Sequence, residues 1–251
     1  MEHDWYARFF EGLPMEAWRR ANPPEVTEKE ADFLHMVLNP PAGGKILDVP
    51  CGPGRLSIDL AARGFRLTGI DRSELFLVEG REKAESSGLE VEWVARDMRE
   101  LQGLGPFAGA FCFGNSFGYF DRNGTAEFLA AVSHSLVPGA RFVLDTAMCL
   151  ESMLLEGMER NWMNVGGILL LVDHHYHVAE GRLETEYTLV RNGRKEARKL
   201  SHWLYSVSEI RHMLEMVGME TISMFSSLEQ EPYYCGAGRL LMVCEKNGEA
   251  A

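Results

Sequence analysis

The sequence predicts a doubly wound α/β fold built on a mostly parallel sheet. Between residues 45 and 146, short apolar segments of strand length alternate with segments whose apolar residues recur at helical spacing. A glycine-rich turn joins the first of these strands to the first helix. Polar side chains stand where the predicted strands end, at Asp48, Asp71, Asp97, Asn115 and Asp145. Alternation of this kind is typical of parallel sheets with right-handed crossovers.

The elements follow in order along the chain. We expect strands at 45–49, 66–70, 90–95, 107–113 and 141–146, and helices near 56–63, 74–87 and 125–136. A helix capped by Ser206 is expected over 206–217, followed by two more strands at 220–225 and 238–245. The carboxyl ends of the parallel strands meet at one edge, where sheets of this class bind ligands.

The turn after the first strand is the strongest candidate for a ligand site. Gly52 and Gly54 lie between a buried strand and a helix N-terminus, so a ligand can approach the backbone closely and meet unpaired N–H groups. A dinucleotide fingerprint needs a third glycine three residues later, where this chain has Ser57. Asp48 on the strand would repel a pyrophosphate. The turn therefore favours a ligand with positive charge and few or no phosphates.

Four stretches in order resemble a known family. D-V-P-C-G-P-G, from Asp48, resembles motif I of the class I S-adenosylmethionine-dependent methyltransferases, with Pro50 where the family usually has its first glycine. F-R-L-T-G-I-D ends at Asp71, and V-E-W-V-A-R-D-M contains Asp97. F-C-F-G-N-S-F-G-Y-F, over 111–120, resembles the strand-4 motif of small-molecule N-methyltransferases such as the glycine N-methyltransferases.

The resemblance implies a Rossmann-like seven-stranded sheet with an antiparallel last strand. It implies S-adenosylmethionine as cofactor and S-adenosylhomocysteine as product. Gly52 and Gly54 would hold the methionine part, Asp71 the ribose hydroxyls, and Asp97 with Met98 the adenine, while Asn115 and Ser116 would line the methyl-transfer mouth. The residues expected at the cofactor are Tyr6, Trp18, Asp48, Pro50, Cys51, Gly52, Gly54, Arg55, Asp71, Arg72, Asp97, Met98, Gly114, Asn115 and Ser116.

The segments outside the alternating region suggest a division into four parts. Residues 1–44 are rich in aromatic side chains and include a helix pattern that begins at Thr27, so they form helices docked on the sheet, a lid whose Tyr6, Phe10 or Trp18 closes over the cofactor, or both. Residues 45–146 are the cofactor-binding core. The pattern in residues 147–205 predicts antiparallel strands with a hairpin turn at 191–194. This segment is a candidate acceptor-binding cap. Residues 206–251 are expected to complete the core.

Three residues are candidates for catalysis. Tyr119 follows the strand-4 motif and would lie beside the transferred methyl group, either as chemistry or as packing. His174 and His175 lie in the cap, where either is a possible general base if it faces the pocket. With His177 they also suggest a metal site, but strand alternation places His175 and His177 on one face and His174 on the other. We expect no metal.

Composition excludes several other classes. A net charge of −12 disfavours nucleic acid as a partner, because phosphate contacts require basic surface. The five cysteines contain no C-x-x-C pair, which disfavours a disulfide framework and a zinc site. No apolar run is long enough to span a bilayer, and no signal peptide is evident, so a cytoplasmic protein that contacts no membrane is expected. A monomer and a homodimer are both compatible with the sequence.

These observations predict an enzyme that transfers the methyl group of S-adenosylmethionine, by in-line displacement, to nitrogen or oxygen of a small-molecule acceptor. Two alternatives remain open. One is a regulator that binds the cofactor without turnover. The other is an NAD(P)-dependent oxidoreductase, which Ser57 and the Asp48 carboxylate disfavour.

Overall fold

Two β-sheets organise the molecule. In the computed structural model, which describes residues 5–153 and 160–248, the main sheet has seven strands in the order β10-β11-β5-β4-β1-β2-β3. A second sheet has four strands in the order β6-β7-β8-β9. The strands are β1 (Lys45–Asp48), β2 (Arg66–Asp71), β3 (Val91–Ala95), β4 (Phe107–Cys112), β5 (Leu136–Thr146), β6 (Asn161–Val165), β7 (Ile168–His177), β8 (Arg182–Arg191), β9 (Arg194–Trp203), β10 (Met219–Phe225) and β11 (Leu240–Lys246).

The direction of the strands in the main sheet confirms the predicted fold class. β1 pairs in parallel with β2 and β4, β2 with β3, and β4 with β5. Only β11, the last strand in the chain, runs antiparallel to both of its neighbours, β5 and β10. The result is the Rossmann-like sheet that the sequence predicted, and its parallel strands all end at one edge.

Helices cover both faces of this sheet. They are α1 (Tyr6–Phe9), α2 (Gly12–Ala21), α3 (Pro24–Leu38), α4 (Arg55–Ala62), α5 (Glu74–Ser86), α6 (Arg122–Ser135), α7 (Leu150–Met153) and α8 (Val207–Met216). Adjacent residues of β1 pack into two different hydrophobic clusters, because successive side chains of a strand point to opposite faces of the sheet. Ile46 packs with residues of α3 and α4, whereas Leu47 packs with residues of α6 and α8. None of the helices in the described ranges has the length and apolar character needed to cross a bilayer.

Two helix starts test the sequence analysis. α8 begins after Ser206 with a full capping box, in which Ser206 and Glu209 satisfy each other's backbone N–H, as a serine cap requires. The expected start at Thr27 is wrong, because α3 begins one turn earlier at Pro24. Proline suits the first turn of a helix, since its missing N–H would have no partner there.

The second sheet is antiparallel throughout and follows the segment predicted as strands. β8 and β9 join through Asn192 and Gly193, whose φ angles of 50° and 77° match the left-handed conformation that a tight hairpin requires. The beginning of the expected first strand, at 158 and 159, lies outside the described residues. The division of the chain into four functional parts stays a prediction.

Candidate functional site

A cavity of about 290 Å³ opens at the carboxyl edge of the main sheet. Its walls come from the loops that follow β1, β2, β3 and β4, and its roof comes from the N-terminal helices. Twelve predicted cofactor residues line it: Tyr6, Trp18, Asp48, Pro50, Cys51, Gly52, Arg55, Asp71, Arg72, Met98, Gly114 and Ser116. Tyr119 lines it as well, whereas Gly54, Asp97, Asn115, His174 and His175 do not.

The loop after β1 is held by hydrogen bonds that leave Gly52 open to the cavity. The Gly52 N–H donates to Oδ2 of Asp71 at 2.9 Å, and the Cys51 N–H donates to the carbonyl of Ile70 at 2.8 Å. Gly52 has a φ of 54°, and a Cβ built on it would meet no atom within 4 Å. The space beside this backbone is therefore free for a ligand.

Gly54 has a different role from the one the motif suggests. It lies at the N-cap of α4 with a φ of 74°, and a Cβ there would lie 2.1 Å from the indole of Trp93. Gly69 on β2 and Gly80 on α5 approach the same indole, at 3.1 and 2.8 Å from a built Cβ. The three glycines form the space that Trp93 fills. Gly54 thus lets the loop pack closely on the half-buried Trp93 side chain instead of lining the cavity.

Asp48 is a buried carboxyl group on the cavity wall. Its Oδ2 accepts a hydrogen bond of 2.6 Å from the hydroxyl of Ser57, the residue that stands where a dinucleotide fingerprint has its third glycine. Burial raises the pKa of Asp48 to about 7, against the opposing effects of Ser57 and Arg55. A cationic group in the cavity would stabilise the ionised form of this carboxyl.

Asp71 connects two loops and faces the cavity. Its Oδ2 accepts from Gly52, and its Oδ1 accepts from the N–H of Ser73 at 2.8 Å. Burial raises the pKa of Asp71 even though these amides favour its ionised form. An ionised carboxylate offers about four acceptor positions, so both oxygens keep capacity for ligand hydroxyl groups.

Asp97 lies just outside the cavity and is engaged by arginines. The Arg99 guanidinium donates to Oδ1 at 2.9 Å and to Oδ2 at 3.0 Å, and Arg72 lies 3.8 Å from Oδ2. Burial acts to raise the pKa of Asp97, but the ion pair with Arg99 outweighs it and lowers that pKa. The neighbouring Met98 is buried and does line the cavity.

The loop after β4 forms the opposite wall. Gly114 donates its N–H to Oδ2 of Asp145 at 2.9 Å, which ties the loop to the end of β5. Asn115 adopts a φ of 65°, and its Oδ1 accepts from the N–H of Ala147 at 2.6 Å. The side chain of Asn115 is therefore occupied, while Ser116 lines the cavity.

A chain of charges joins this wall to the loop after β1. Arg239 bridges Asp145 and Glu30, with both nitrogen–oxygen distances at 2.6 Å, and Arg55 also lies 2.6 Å from Glu30. Glu30 and Asp145 are both 4% exposed. In this network two carboxylates alternate with two guanidinium groups. Each charge needs its neighbours, because a buried charge without a partner is unfavourable. The network fixes Arg55, whose guanidinium stands at the cavity.

Aromatic rings of the N-terminal helices cover the cavity. Tyr6 stacks on Tyr119 with ring centroids 5.5 Å apart and planes 5° apart. Its hydroxyl accepts a 2.9 Å hydrogen bond from Arg72, a residue that follows β2. Phe10 packs against Trp18 on one side and Phe76 on the other. Of these aromatic residues, only Phe76 was not singled out from the sequence.

The cap histidines separate as strand alternation predicts. The rings of His175 and His177 lie 4.5 Å apart, while His174 faces the other side, where its Nδ1 lies 2.8 Å from the hydroxyl of Thr185. His175 is exposed. Among residues 5–153 and 160–248 no cluster of three or more His, Cys, Asp or Glu side chains could hold a metal ion.

Sequence reasoning missed one histidine. His202 on β9 is buried, and its ring contacts Trp5 and Tyr119. Burial lowers the pKa of His202 to about 4, so it is neutral at neutral pH. The sequence contains no signal for it, because its partners lie on other elements far along the chain. The cavity wall also includes eight residues that were not among those expected at the cofactor: Glu11, Pro53, Leu56, Ser73, Leu75, Arg96, Phe113 and Phe120.

Comparison with known proteins gives a sequence match in the core. Residues 46–139 match the family model described as a methyltransferase domain. A provisionally named methyltransferase of Geobacillus sp. (strain WCH70) is 32% identical over 115 residues, which cover 46% of this chain and 43% of the relative. The chain thus matches less than half the length of this curated relative.

Solved structures match over nearly the whole chain. An S-adenosylmethionine-dependent methyltransferase from Clostridium acetobutylicum ATCC 824 superposes with a TM-score of 0.77 at 19% identity, covering 88% of this chain and 92% of its own. An amino pentose methyltransferase from Micromonospora echinaspora, solved with S-adenosylmethionine bound, has a TM-score of 0.72 at 18% identity and covers 94% and 98%. At these identities the superpositions establish the fold.

The domain match and the fold confirm the relationship that the four sequence motifs indicated, and S-adenosylmethionine is the cofactor of that family. Residues 46–139 thus match a methyltransferase domain, and the chain has the fold of the class I S-adenosylmethionine-dependent methyltransferases.

Proposed function

We propose that this chain binds S-adenosylmethionine in the cavity and transfers its methyl group to nitrogen or oxygen of a small-molecule acceptor. The observation that carries the proposal is the convergence of Asp48, Asp71 and the open backbone of Gly52 on one cavity. The two carboxyl groups suit a cationic ligand that carries a ribose. The same carboxyl groups, when ionised, would repel the phosphates of a dinucleotide.

The cofactor's position follows from these side chains. We place its methionine part against Gly52, with Arg55 available to its carboxylate and Asp48 to its positive charge. We place its ribose at Asp71, whose oxygens retain acceptor capacity. We place the adenine against the buried Met98. Because Arg99 engages the Asp97 carboxylate, the contribution of Asp97 is to hold Arg99 and Arg72 at the rim.

The bound cofactor supplies an activated methyl group, so the protein's task is alignment. The acceptor's lone pair must approach the methyl carbon from the side opposite sulfur; the carbon–sulfur bond breaks as the new bond forms, and the acceptor gives up a proton. Ser116 and Tyr119 line the side of the cavity where the acceptor would stand. Burial raises the pKa of Tyr119, so its hydroxyl stays protonated and can donate a hydrogen bond.

The acceptor side is assigned to the second sheet and the N-terminal helices. We propose that residues 147–205 are an acceptor-binding cap and that residues 1–44 close over the cofactor as a lid, because Tyr6, Phe10 and Trp18 already lie over the cavity. The Micromonospora neighbour acts on an amino pentose, which favours a small molecule as the acceptor here. We place the protein in the cytoplasm, as a monomer or homodimer.

The proposal is tested by calorimetric titration of the purified protein with S-adenosylhomocysteine, with NADH as the control ligand. We expect S-adenosylhomocysteine to bind and NADH not to bind. Binding of NADH alone would assign the cavity to an oxidoreductase, and binding of neither ligand would contradict a cofactor role for the cavity. A methyl-transfer assay on amines, phenols and sugars then separates an enzyme from a regulator that binds without turnover.

Cofactor affinity should depend on pH through Asp48. Because burial raises its pKa to about 7, the carboxyl is largely protonated below that pH, and a cationic ligand favours the ionised form. Affinity for S-adenosylmethionine should therefore rise about tenfold between about pH 6 and about pH 7.5, with release of a proton on binding. Titration in two buffers of different ionisation enthalpy measures that proton.

The matched variant is Asp48→Asn, which keeps the shape of the side chain and removes the titration. Its cofactor affinity should be lower at pH 7.5 and nearly independent of pH over this range. Equal proton release by the variant and the natural protein would show that another group is responsible.

A further inference from the structure

His202 presents a bare hydrogen-bond acceptor inside the protein. Its Nε2 lies 3.2 Å from the carbonyl oxygen of Asn115. A carbonyl only accepts, so Nε2 carries the proton, and in a neutral imidazole the other nitrogen, Nδ1, is then an acceptor. Nδ1 is buried and has no partner in the part of the chain that the structure describes. His202 itself is 4% exposed.

The unpartnered nitrogen has a cost. An acceptor buried without a donor loses its hydrogen bond to water, and a side chain of similar shape without that nitrogen would pack equally well. A donor brought by a bound molecule would remove this cost. The ring of His202 is held in place by Asn115 on one side and by two aromatic rings on the other, so the direction of Nδ1 is set before any ligand arrives.

The surroundings of Nδ1 connect it to the methyl-transfer side of the cavity. The His202 ring lies 5.3 Å from that of Tyr119, which lines the cavity, and 5.6 Å from that of Trp5. Trp5 in turn contacts Tyr6, Phe9 and Tyr119. Trp5 immediately precedes α1, a helix of four residues.

The absence of charge on the rings around Trp5 and His202 restricts which methyl acceptors can bind beside them. None of the side chains whose rings contact Trp5 or His202 carries a charge. On the same face of the second sheet, Arg198 is paired with Glu196, and His174 is engaged by Thr185. A carboxylate entering here would meet no free cation among the described contacts. An ammonium group would find the Glu196 carboxylate already paired with Arg198 and would stand near the positive sulfonium of the proposed cofactor.

We propose that His202 binds the methyl acceptor, with Nδ1 accepting the hydrogen bond of an N–H or O–H group on an uncharged, flat acceptor that packs against Trp5 and Tyr119. This inference rests on the proposed methyltransferase function and narrows it to phenol-like or aromatic-amine acceptors. The hydrogen bond orients the acceptor's lone pair toward the cavity, and the ring contacts exclude water from the reacting atom.

The test uses the full chain saturated with S-adenosylhomocysteine and four probes followed by ligand-observed NMR titration. Phenol and aniline are uncharged N–H or O–H donors, cyclohexylamine is a cation at neutral pH, and benzoate is an anion. We expect phenol and aniline to bind the natural protein more tightly than cyclohexylamine or benzoate. Absence of phenol and aniline binding, or tighter binding of either charged probe, would overturn the inference.

Two variants separate binding from structure. His202→Gln keeps a donor for the Asn115 carbonyl and an amide oxygen that can accept in place of Nδ1, whereas His202→Phe keeps a ring and loses both nitrogens. His202→Phe should weaken the binding of phenol and aniline at least tenfold and His202→Gln at most about threefold, with S-adenosylhomocysteine affinity unchanged within about twofold in both variants. Equal weakening of probe binding by the two variants would show that the acceptor nitrogen does not bind the probes, and the inference would be wrong.

The cofactor titration is performed first, on each protein without probe. Failure of the natural protein to bind S-adenosylhomocysteine would overturn the proposed function, and with it this inference. Normal cofactor binding together with equal probe binding by the natural protein and both variants would overturn the inference alone.

Discussion

Replacement of Asp71 by asparagine is expected to weaken S-adenosylhomocysteine binding about 100-fold, or about 2.8 kcal/mol at about 1.4 kcal/mol for each factor of ten. The Asp71 carboxylate accepts the N–H groups of Gly52 and Ser73 on its two oxygens. An amide side chain has one oxygen, so its NH₂ group would face one of these donors. The loop beside the cofactor would lose a hydrogen bond, and the ribose hydroxyls would lose a charged acceptor.

Calorimetric titration of S-adenosylhomocysteine measures this loss, and Asp59→Asn is the matched control. Asp59 on α4 pairs with Arg63, the residue that follows this helix, and lies outside the cavity, so removal of its charge should change affinity less than threefold. Equal affinity for Asp71→Asn and the natural protein would remove Asp71 from the cofactor site. An equal loss in both variants would point to net charge as the cause.

Replacement of Gly54 by alanine is expected to destabilise the protein by about 3 kcal/mol and to weaken cofactor binding as well. Two effects add. A left-handed φ costs a residue with a Cβ about 1–2 kcal/mol, and forcing a methyl group into a filled site costs about 1–3 kcal/mol more. The Cβ would lie 2.1 Å from the Trp93 indole, so loop and indole must separate. Chemical denaturation measures the free energy of unfolding.

Gly43→Ala isolates the backbone effect. Gly43 has a φ of 75°, against 74° for Gly54, but a Cβ there meets no atom within 4 Å. Its cost should be about 1 kcal/mol. In the double variant Gly54→Ala, Trp93→Leu, the smaller side chain makes room for the methyl group. The double variant should therefore lose less free energy of unfolding than the sum of the losses in the two single variants. Equal costs for the two glycine variants would show that contact with Trp93 is unimportant.

The sequence located the cavity at the strand ends because the relevant signals are local. A strand, a glycine turn and a helix start are encoded within a dozen residues, and the position of Asp48 or Asp71 at a strand end follows from that order. Where strands and helices alternate regularly along the chain, the strands pair in parallel and their carboxyl ends lie at the same edge of the sheet. Twelve of the fifteen residues expected at the cofactor line the cavity for this reason.

The exceptions share a physical cause. Gly54 fits the motif, but Trp93, thirty-nine positions later in the printed sequence, fills the space beside it. Asp97 stands at the expected strand end, yet Arg99 occupies its carboxylate. The local sequence predicts where a residue lies along the backbone, whereas tertiary packing determines which residue its side chain contacts.

The sequence by itself therefore determined the fold class, the succession of strands and helices along the chain through β5, the glycine turn and the acidic residues at the strand ends, since each depends on local pattern and right-handed connection. The tertiary structure alone decided which carboxyl groups are already paired and that His202 lies buried beside Trp5 and Tyr119. These features join residues nearly two hundred positions apart, and only the folded chain brings such residues into contact.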